Sequence, residues 1–371
     1  RGADTRRLPE RPVSPFVPRR VALADNSVEC ATVSDPDEYF MRSPSPSQQI
    51  ASHYIALSAA MSAVTFHAEY AGAAYPDKPV RIIVPFAPGG NIDITARTVA
   101  PGLSEFLGQP VVVDNRGGAG GKVGTETAAK ATPDGYTLLL GSSGALTMSP
   151  AFYRVGYDPL KDFAPTSLVS IVPLVLSVHP SLPVKTVKEL ITLARTRGGE
   201  LTMASAGLGS TTHLTGELFQ LVTGVKFTHI PYKGSGQALV DVVGGQVDLI
   251  FDQLSSSGTL IKGGKLRPLA IAMSRRSSTI PQVPTMQEAG IAGLEASTYT
   301  GIVLQAAVPK EIVARVYDAL LKTLALTSTR DSFARLGAEV IQSTPEEFSR
   351  RLSADLAQWT RVREKTKIEL E

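Results

Sequence analysis

VRIIVPFAPGGNIDITARTVA, residues 80–100, decides the fold. Val80 to Val84 is a short run of mostly β-branched residues, the composition of a strand covered on both faces. Pro85 and Pro88 end it, and Gly89-Gly90 marks a turn. From Ile92 to Leu107 apolar residues recur at helical spacing. The segment therefore reads strand, glycine-rich loop, helix start. Pro101 interrupts the helical pattern and predicts a kink or a restart there.

The same order recurs down the chain. Strands are expected at Val111–Val113, Tyr136–Leu140, Leu168–Val178, Leu201–Ala204, Lys226–Ile230, Val247–Phe251, Leu266–Ala272 and Thr298–Leu304, with helical patterns between them. Thr186 with Glu189, Thr285 with Glu288 and Thr344 with Glu347 fit the capping box, in which two side chains satisfy each other's orphan backbone N–H groups. After Thr344, Pro345 suits a first helical position, and Phe348, Leu352, Leu356, Trp359 and Val362 form one apolar stripe. Such alternation implies an α/β protein whose sheets are mainly parallel and flanked by helices. About 300 residues of it predict two domains.

Composition narrows the function. The chain has 371 residues, 43% hydrophobic and 19% charged, with a formal net charge of +3, which suits a globular protein and lacks the basic footprint of a nucleic-acid binder. A single cysteine, Cys30, excludes an intrachain disulfide framework and a cysteine-based zinc site. Residues 1–74 read as an N-terminal extension without apolar periodicity in its first part. Met41-Arg42, the apolar segment from Ile50 to Phe66 and Ala71-Gly72-Ala73-Ala74 have the order of a secretory signal, expected over about 41–73 with cleavage after Ala73 or Ala74. The exported remainder would be cysteine-free, which suits an oxidising compartment.

Four loops place glycine and small hydroxyl residues between a strand and a helix: Pro85 to Asp93, Asp114 to Gly124, Gly141 to Pro150, and Ser205 to His213. In open α/β sheets ligands bind beyond the carboxyl ends of strands, where helix N-termini present free N–H groups and a positive dipole end. A small carboxylate is the natural guest. Phosphate motifs fail: a Walker A ending at Gly121-Lys122 meets Arg116 and Val123, and a dinucleotide fingerprint from Gly207 and Gly209 meets Thr212. Gly141-Ser142-Ser143-Gly144 misses the nucleophile elbow at Ala145, and the five histidines show no metal-ligand spacing, so neither catalysis, metal nor cofactor is expected. Asp93 can serve the helix dipole instead of a ligand, and Asp252, leaving a buried strand, can organise its loop or face a cleft.

Over Tyr75 to about Arg363 the chain resembles the extracytoplasmic solute receptors of tripartite tricarboxylate transporters, the Bug-type family. The resemblance rests on ordered segments: YPDKPVRIIVPFAPGGNID, LGQPVVVDNRGGAGGKVGTETAAKATPDGYTLLLGSSG, YDPLKDFAP, SAGLGSTTHLTGELF, HIPYKGSGQALVDVVGGQVDLIFD and GKLRPLAI. It implies a two-lobed, type II-like periplasmic binding fold with crossing hinge strands. Lobe 1 would be 75–175 plus 298–371 and lobe 2 176–297. It also implies a monomer that closes on a small carboxylate and delivers it to membrane transporter subunits. The implied ligand contacts are Phe86, Ala87, Gly89, Gly90, Asn91 and Asp93 from the first loop, and Ser142, Ser143 and Thr147 from the third. Ala206, Gly207, Ser210, Thr211 and His213 would face them from the second lobe, with Asp252 closing the pocket. Asn91-Ile92, Met148-Ser149-Pro150 and Tyr299-Thr300-Gly301 depart from the family's usual residues and bear on which ligand fits. Presentation of the ligand to a membrane sensor kinase, or an α/β hydrolase activity, are the alternatives.

Overall fold

The computed structural model describes residues 75–366; the expected leader at about 41–73 lies outside them. The opening unit forms as read, with β1 (Val80–Val84) running through its loop into α1 (Asn91–Leu107). Val80, Ile82 and Val84 join one apolar cluster and Ile83 another, because successive strand residues point to opposite faces and both faces are covered. α1 passes through Pro101 without the expected restart. Ala96, Val99, Ala100 and Leu103 stay buried along it, and Gly102 packs so closely that a Cβ would lie 2.7 Å from Thr323. That packing outweighs the one backbone bond the proline removes.

The later helices are α2 (Lys122–Ala129), α3 (Ser149–Phe152), α4 (Val187–Thr196), α5 (Thr211–Thr223), α6 (Ser235–Val243), α7 (Leu254–Lys262), α8 (Lys310–Ala325), α9 (Thr327–Arg335) and α10 (Pro345–Thr366). β1 pairs in parallel with β2 (Val111–Asn115) and β3 (Thr137–Ser142). β4 (Phe163–Val178) is 16 residues long and serves two neighbourhoods. Its residues up to Pro173 pair antiparallel with β9 (Ser297–Gln305), while Leu174 to Val178 pair antiparallel with β7 (Leu249–Gln253) and, in part, β8 (Arg267–Ile271). The handover falls at Pro173, which has no N–H to give to a ladder. Beyond β7 the pairing is parallel again, through β5 (Thr202–Ser205) to β6 (Thr228–Pro231).

The strand order β2-β1-β3-β9-β4-β7-β5-β6 therefore has a parallel strand–helix–strand block at each end. Antiparallel crossing strands lie in the middle. The sheet as a whole is mixed, because a chain that leaves through β4 and returns through β9 runs in opposite senses beside its neighbours. β4 also starts earlier than its apolar run predicts, and the two-residue β10 (Glu339–Val340), paired with β4, has no sequence signal.

Among the capping boxes, Thr344 and Glu347 bond reciprocally at 2.8 and 3.2 Å and open α10. At Thr186 the threonine accepts the Glu189 N–H, but Glu189 takes the N–H of Lys185 instead. Thr285 and Glu288 close a full box at 2.8 and 3.0 Å, yet it opens a turn that ends at Gly290, φ +90°, not a helix. In α10 Phe348 and Leu352 are buried and Leu356, Trp359 and Val362 half-buried, so the stripe docks as expected. Among the described residues no helix is long and apolar enough to cross a membrane.

Candidate functional site

The first glycine-rich loop is folded by the helix that follows it. Asp93 accepts hydrogen bonds from the Gly89 N–H, Arg97 Nε and Asn115 Nδ2, each at 3.0 Å, and Asn115 also donates to the Phe86 carbonyl at 3.0 Å. Burial by itself would raise the Asp93 carboxyl. The donors from Arg97, Gly89 and Asn115 outweigh it and hold the group below the usual carboxylate range.

Four helices begin around one cavity: α1 after Gly90, α5 after Ser210, α6 after Gly234 and α7 after Gln253. Gly90, Asn91, Ile92, Ser210, Thr211, Ser235 and Gln253 line it together with Phe86, Ser142, Ala206 and Thr298. Only Ser210 caps its helix with a side chain, accepting the His213 N–H; Gly90, Gly234 and Gln253 do not. First-turn N–H groups have no acceptor within a helix, and each helix N-terminus carries roughly half a positive charge. None of the lining residues is charged. The cavity is thus positive through backbone dipoles, without a fixed cation, which is the makeup of an anion site. Asn91 adds a donor: its Oδ1 accepts from Ser255 Oγ at 2.7 Å, and its buried Nδ2 has no acceptor.

The two halves of the sheet meet over this cavity. The Ala87 N–H donates to the Lys233 carbonyl at 2.9 Å. A Cβ on Gly120 would stand 1.8 Å from the Leu208 carbonyl oxygen, and one on Gly236 2.2 Å from that of Pro88. The cavity measures about 20 Å³, on the order of what one water needs. Any larger solute enters only when the halves part. A wider cavity of about 660 Å³ lies elsewhere, against Pro173, Ala272 to Thr279 and Glu339. Its arginines are paired, Arg275 with Glu339 and Arg276 with Glu288, and no first-turn helix residue lines it, so size does not identify the site.

Of the residues expected at a ligand, Phe86, Gly90, Asn91, Ser142, Ala206, Ser210 and Thr211 line the cavity. Ala87 and Gly89 share the first loop, but their N–H groups are taken by Lys233 and Asp93, and Asp93 itself is occupied in holding that loop. The Ser143 hydroxyl stands 3.4 Å from that of Thr211 and lines an adjoining crevice of about 140 Å³. Thr147 folds back onto the Ser143 carbonyl at 2.7 Å, and Gly207 lines a separate pocket with Ala119, Leu208 and Lys233. His213 is buried behind the second-half loop, stacked on His229.

Asp252 does not close the pocket. It is fully buried, accepts from Ser256 Oγ at 2.5 Å, and burial pushes its carboxyl up to about 6. Strand alternation sends its neighbour Gln253 to the cavity instead. Gln253 Nε2 donates to Thr298 Oγ1 at 2.9 Å, and its Oε1 accepts from Ser235 Oγ at 3.5 Å. Ile92, Ser235, Gln253 and Thr298 were missed by the sequence reading. Ser235 carried a usable signal, since Lys233-Gly234-Ser235-Gly236 follows β6 and opens α6 just as the other glycine-rich loops do.

The family described as "Tripartite tricarboxylate transporter family receptor" matches residues 95–368. Protein BugT of Bordetella pertussis is 40% identical over 301 residues, covering 80% of this chain and 91% of BugT. Two solved structures are similar at the level of the fold and the sequence. R. palustris Rpa4515 with adipate has a TM-score of 0.76 and 38% identity, covering 79% of this chain and 98% of that one. MatC (Rpa3494) from Rhodopseudomonas palustris with bound malate has a TM-score of 0.75 and 32% identity, covering 78% and 99%.

Proposed function

Because this chain belongs to the tripartite tricarboxylate transporter receptor family, we propose that it captures a small carboxylate outside the cytoplasm and delivers it to the membrane subunits of such a transporter. It is a solute receptor and not an enzyme. We assign the closing lobes to residues 75–175 with 298–371, and to 176–297. The observation that carries the carboxylate reading is the convergence of four helix N-termini, three without a side-chain cap, on a cavity with no charged lining. Adipate in Rpa4515 and malate in MatC favour a dicarboxylate here.

The mechanism follows from what those groups are. In the open form lobe 1 presents the start of α1 and lobe 2 the starts of α5, α6 and α7, hydrated by water. Closure brings both sets to one ligand and excludes the water, so the same dipoles act through a lower dielectric. No side-chain cation has to be detached at release; reopening rehydrates the acid and the amides together. Phe86 and Ile92 supply an apolar wall, and Asn91 Nδ2 is a donor ready for a carboxylate oxygen.

Titration calorimetry of the purified chain with succinate, malate, adipate, citrate and the neutral diamide of succinate tests this. One or two of the acids should bind and the diamide should not; at a hundredfold excess over Kd the bound acid should stabilise the fold by about 2.7 kcal/mol. Equal binding of the diamide, or no binding by any acid, would overturn the carboxylate reading.

A further inference from the structure

His213 and His229 are neither at the cavity nor idle. His213 is the third residue of α5 and His229 lies on β6; their rings stack with centroids 4.1 Å apart and planes 19° from parallel. Each ring holds one end of the loop that joins β5 to α5. The Gly209 N–H donates to His213 Nδ1 at 3.2 Å. Ser205 Oγ stands 2.7 Å from His229 Nε2 and accepts the Gly207 N–H at 3.1 Å.

The bond from Gly209 fixes the protonation state of His213. A nitrogen that accepts an N–H carries no proton, so His213 is neutral with its proton on Nε2. Ser205 Oγ has a second lone pair and a proton, so it pairs with His229 Nε2 in either tautomer; burial, which holds that ring at about 4, is what keeps it neutral. Gly207 and Gly209 have φ of +120° and +77°, a backbone shape that needs outside support, and Ala206, Ser210 and Thr211 of the same segment line the cavity. Leu208 of the loop is also the point nearest Gly120 in the other half.

We propose that His213 and His229 form a neutral imidazole brace that keeps the Ser205–Ser210 loop in its ligand-holding shape, and that protonation of the brace in acid loosens the loop and releases the captured carboxylate. This rests on the carboxylate-capture reading for its last step only. A proton on His213 Nδ1 sets one N–H against another at Gly209. A second proton on His229 would place two cations face to face in a buried stack. Burial and the charge of His229 hold His213 down at about 3, and burial holds His229 at about 4.

The other groups around the pair are accounted for. Glu217, one turn along α5, has Oε1 3.7 Å from His213 Nε2; burial raises its carboxyl, and it accepts from Gln220 at 2.8 Å. Tyr153, whose ring packs against Gly209, stays neutral because burial raises its hydroxyl. His213 and His229 are positioning residues on this account.

The test measures binding of malate and adipate from pH 7.5 to 4.5 in wild type, His213→Gln, His213→Leu and His229→Gln. Amide hydrogen exchange at Gly207 and Gly209 is followed in the same proteins. The acids' own titration is common to all four chains and cancels in the comparison. Wild type should lose about tenfold or more affinity over this range beyond any loss in His213→Gln, whose amide oxygen can accept the Gly209 N–H at every pH. His213→Leu should bind weakly at both ends of the range. Gly209 exchange, corrected for the intrinsic pH effect, should speed up in acid in wild type and not in His213→Gln. A common pH dependence in all chains, or Gly209 protection unchanged down to pH 4.5, would overturn the brace. If neither acid binds at pH 7.5, the capture reading fails while the exchange data still decide the brace.

Discussion

Gly236→Ala separates closure from folding. Gly236 is the second residue of α6, where alanine is the better helix former by up to about 1 kcal/mol, so the isolated half gains or keeps stability. In the closed form the new Cβ would lie 2.2 Å from the Pro88 carbonyl oxygen and 3.2 Å from the Gly89 backbone. These are backbone atoms and cannot rotate aside. A carbon–oxygen contact of roughly 3.3 Å then requires the loop and the helix to separate by about 1 Å. Overpacking of this size costs about 1–3 kcal/mol, confined here to the closed state, which converts to about 5- to 150-fold weaker binding. Calorimetry with whichever dicarboxylate binds wild type reads the affinity, urea unfolding reads the stability, and small-angle scattering reads compaction on binding. Affinity within twofold of wild type would show that the bound state does not bring Pro88 and Gly236 together, and the closure mechanism would be wrong. Gly120→Ala repeats the test on the other side of the cleft. Its Cβ would meet the Leu208 carbonyl at 1.8 Å, and its φ of +63° adds strain of about 1 kcal/mol.

Asn91→Asp keeps the acceptor for Ser255 but replaces the unpaired donor by a negative charge among the helix ends; binding of dicarboxylates should fall at least tenfold by calorimetry while urea stability holds, and unchanged affinity would place the ligand elsewhere. Asp252→Asn tests the buried carboxyl. Its raised value means that its stability contribution is complete below the ordinary 3.8 and is lost as pH rises through about 6, so the variant should gain on wild type by up to about 3 kcal/mol between pH 4 and 7 in urea unfolding. A constant difference across that range would refute the assignment. Phe348→Ala empties a fully buried site against Gly301 and should cost about 3–5 kcal/mol; a loss under 1 kcal/mol would mean that α10 is not docked as described.

How much of this was legible in the sequence depended on whether the signal was local. Val80 to Asp93 spells strand, turn and helix start within one stretch, so the fold and the first wall of the cavity could be read from it. Asp252 and Gln253 are adjacent, and only pairing with Val175 and Leu174 of β4 decides which of them faces the cleft; residues so far apart in the chain leave no local trace of their register. His213 was expected among the ligand contacts, because the sequence does not show that β6 brings His229 against its ring. Pro101 misled in the other direction, since the helix is held by contacts with Thr323, more than two hundred residues on. Thr285 and Glu288 satisfied the box chemistry, but a reciprocal pair of bonds also stabilises a turn when glycine follows, as Gly290 does here.

His213 and Asp252, both buried in the second half, respond to acid in opposite senses, and this bears on how an acid response can stay local. His213, neutral in the fold, contributes stability that is complete above 6.5 and lost as pH falls toward about 3. Between pH 7 and 5 that loss is about 2 kcal/mol, since the unfolded chain gains a proton the fold refuses. Asp252 runs the other way over the same interval, because protonation relieves a fully buried carboxylate, and it returns about 1 kcal/mol. The net change for these two is small beside the stability of a domain, and half-buried His229, held at about 4, adds a further loss over the same interval. The strand and helix frame therefore loses part of its stability in mild acid, while the bond that His213 accepts from Gly209 bears the protonation directly. The ligand loop can then loosen before the lobe that carries it unfolds.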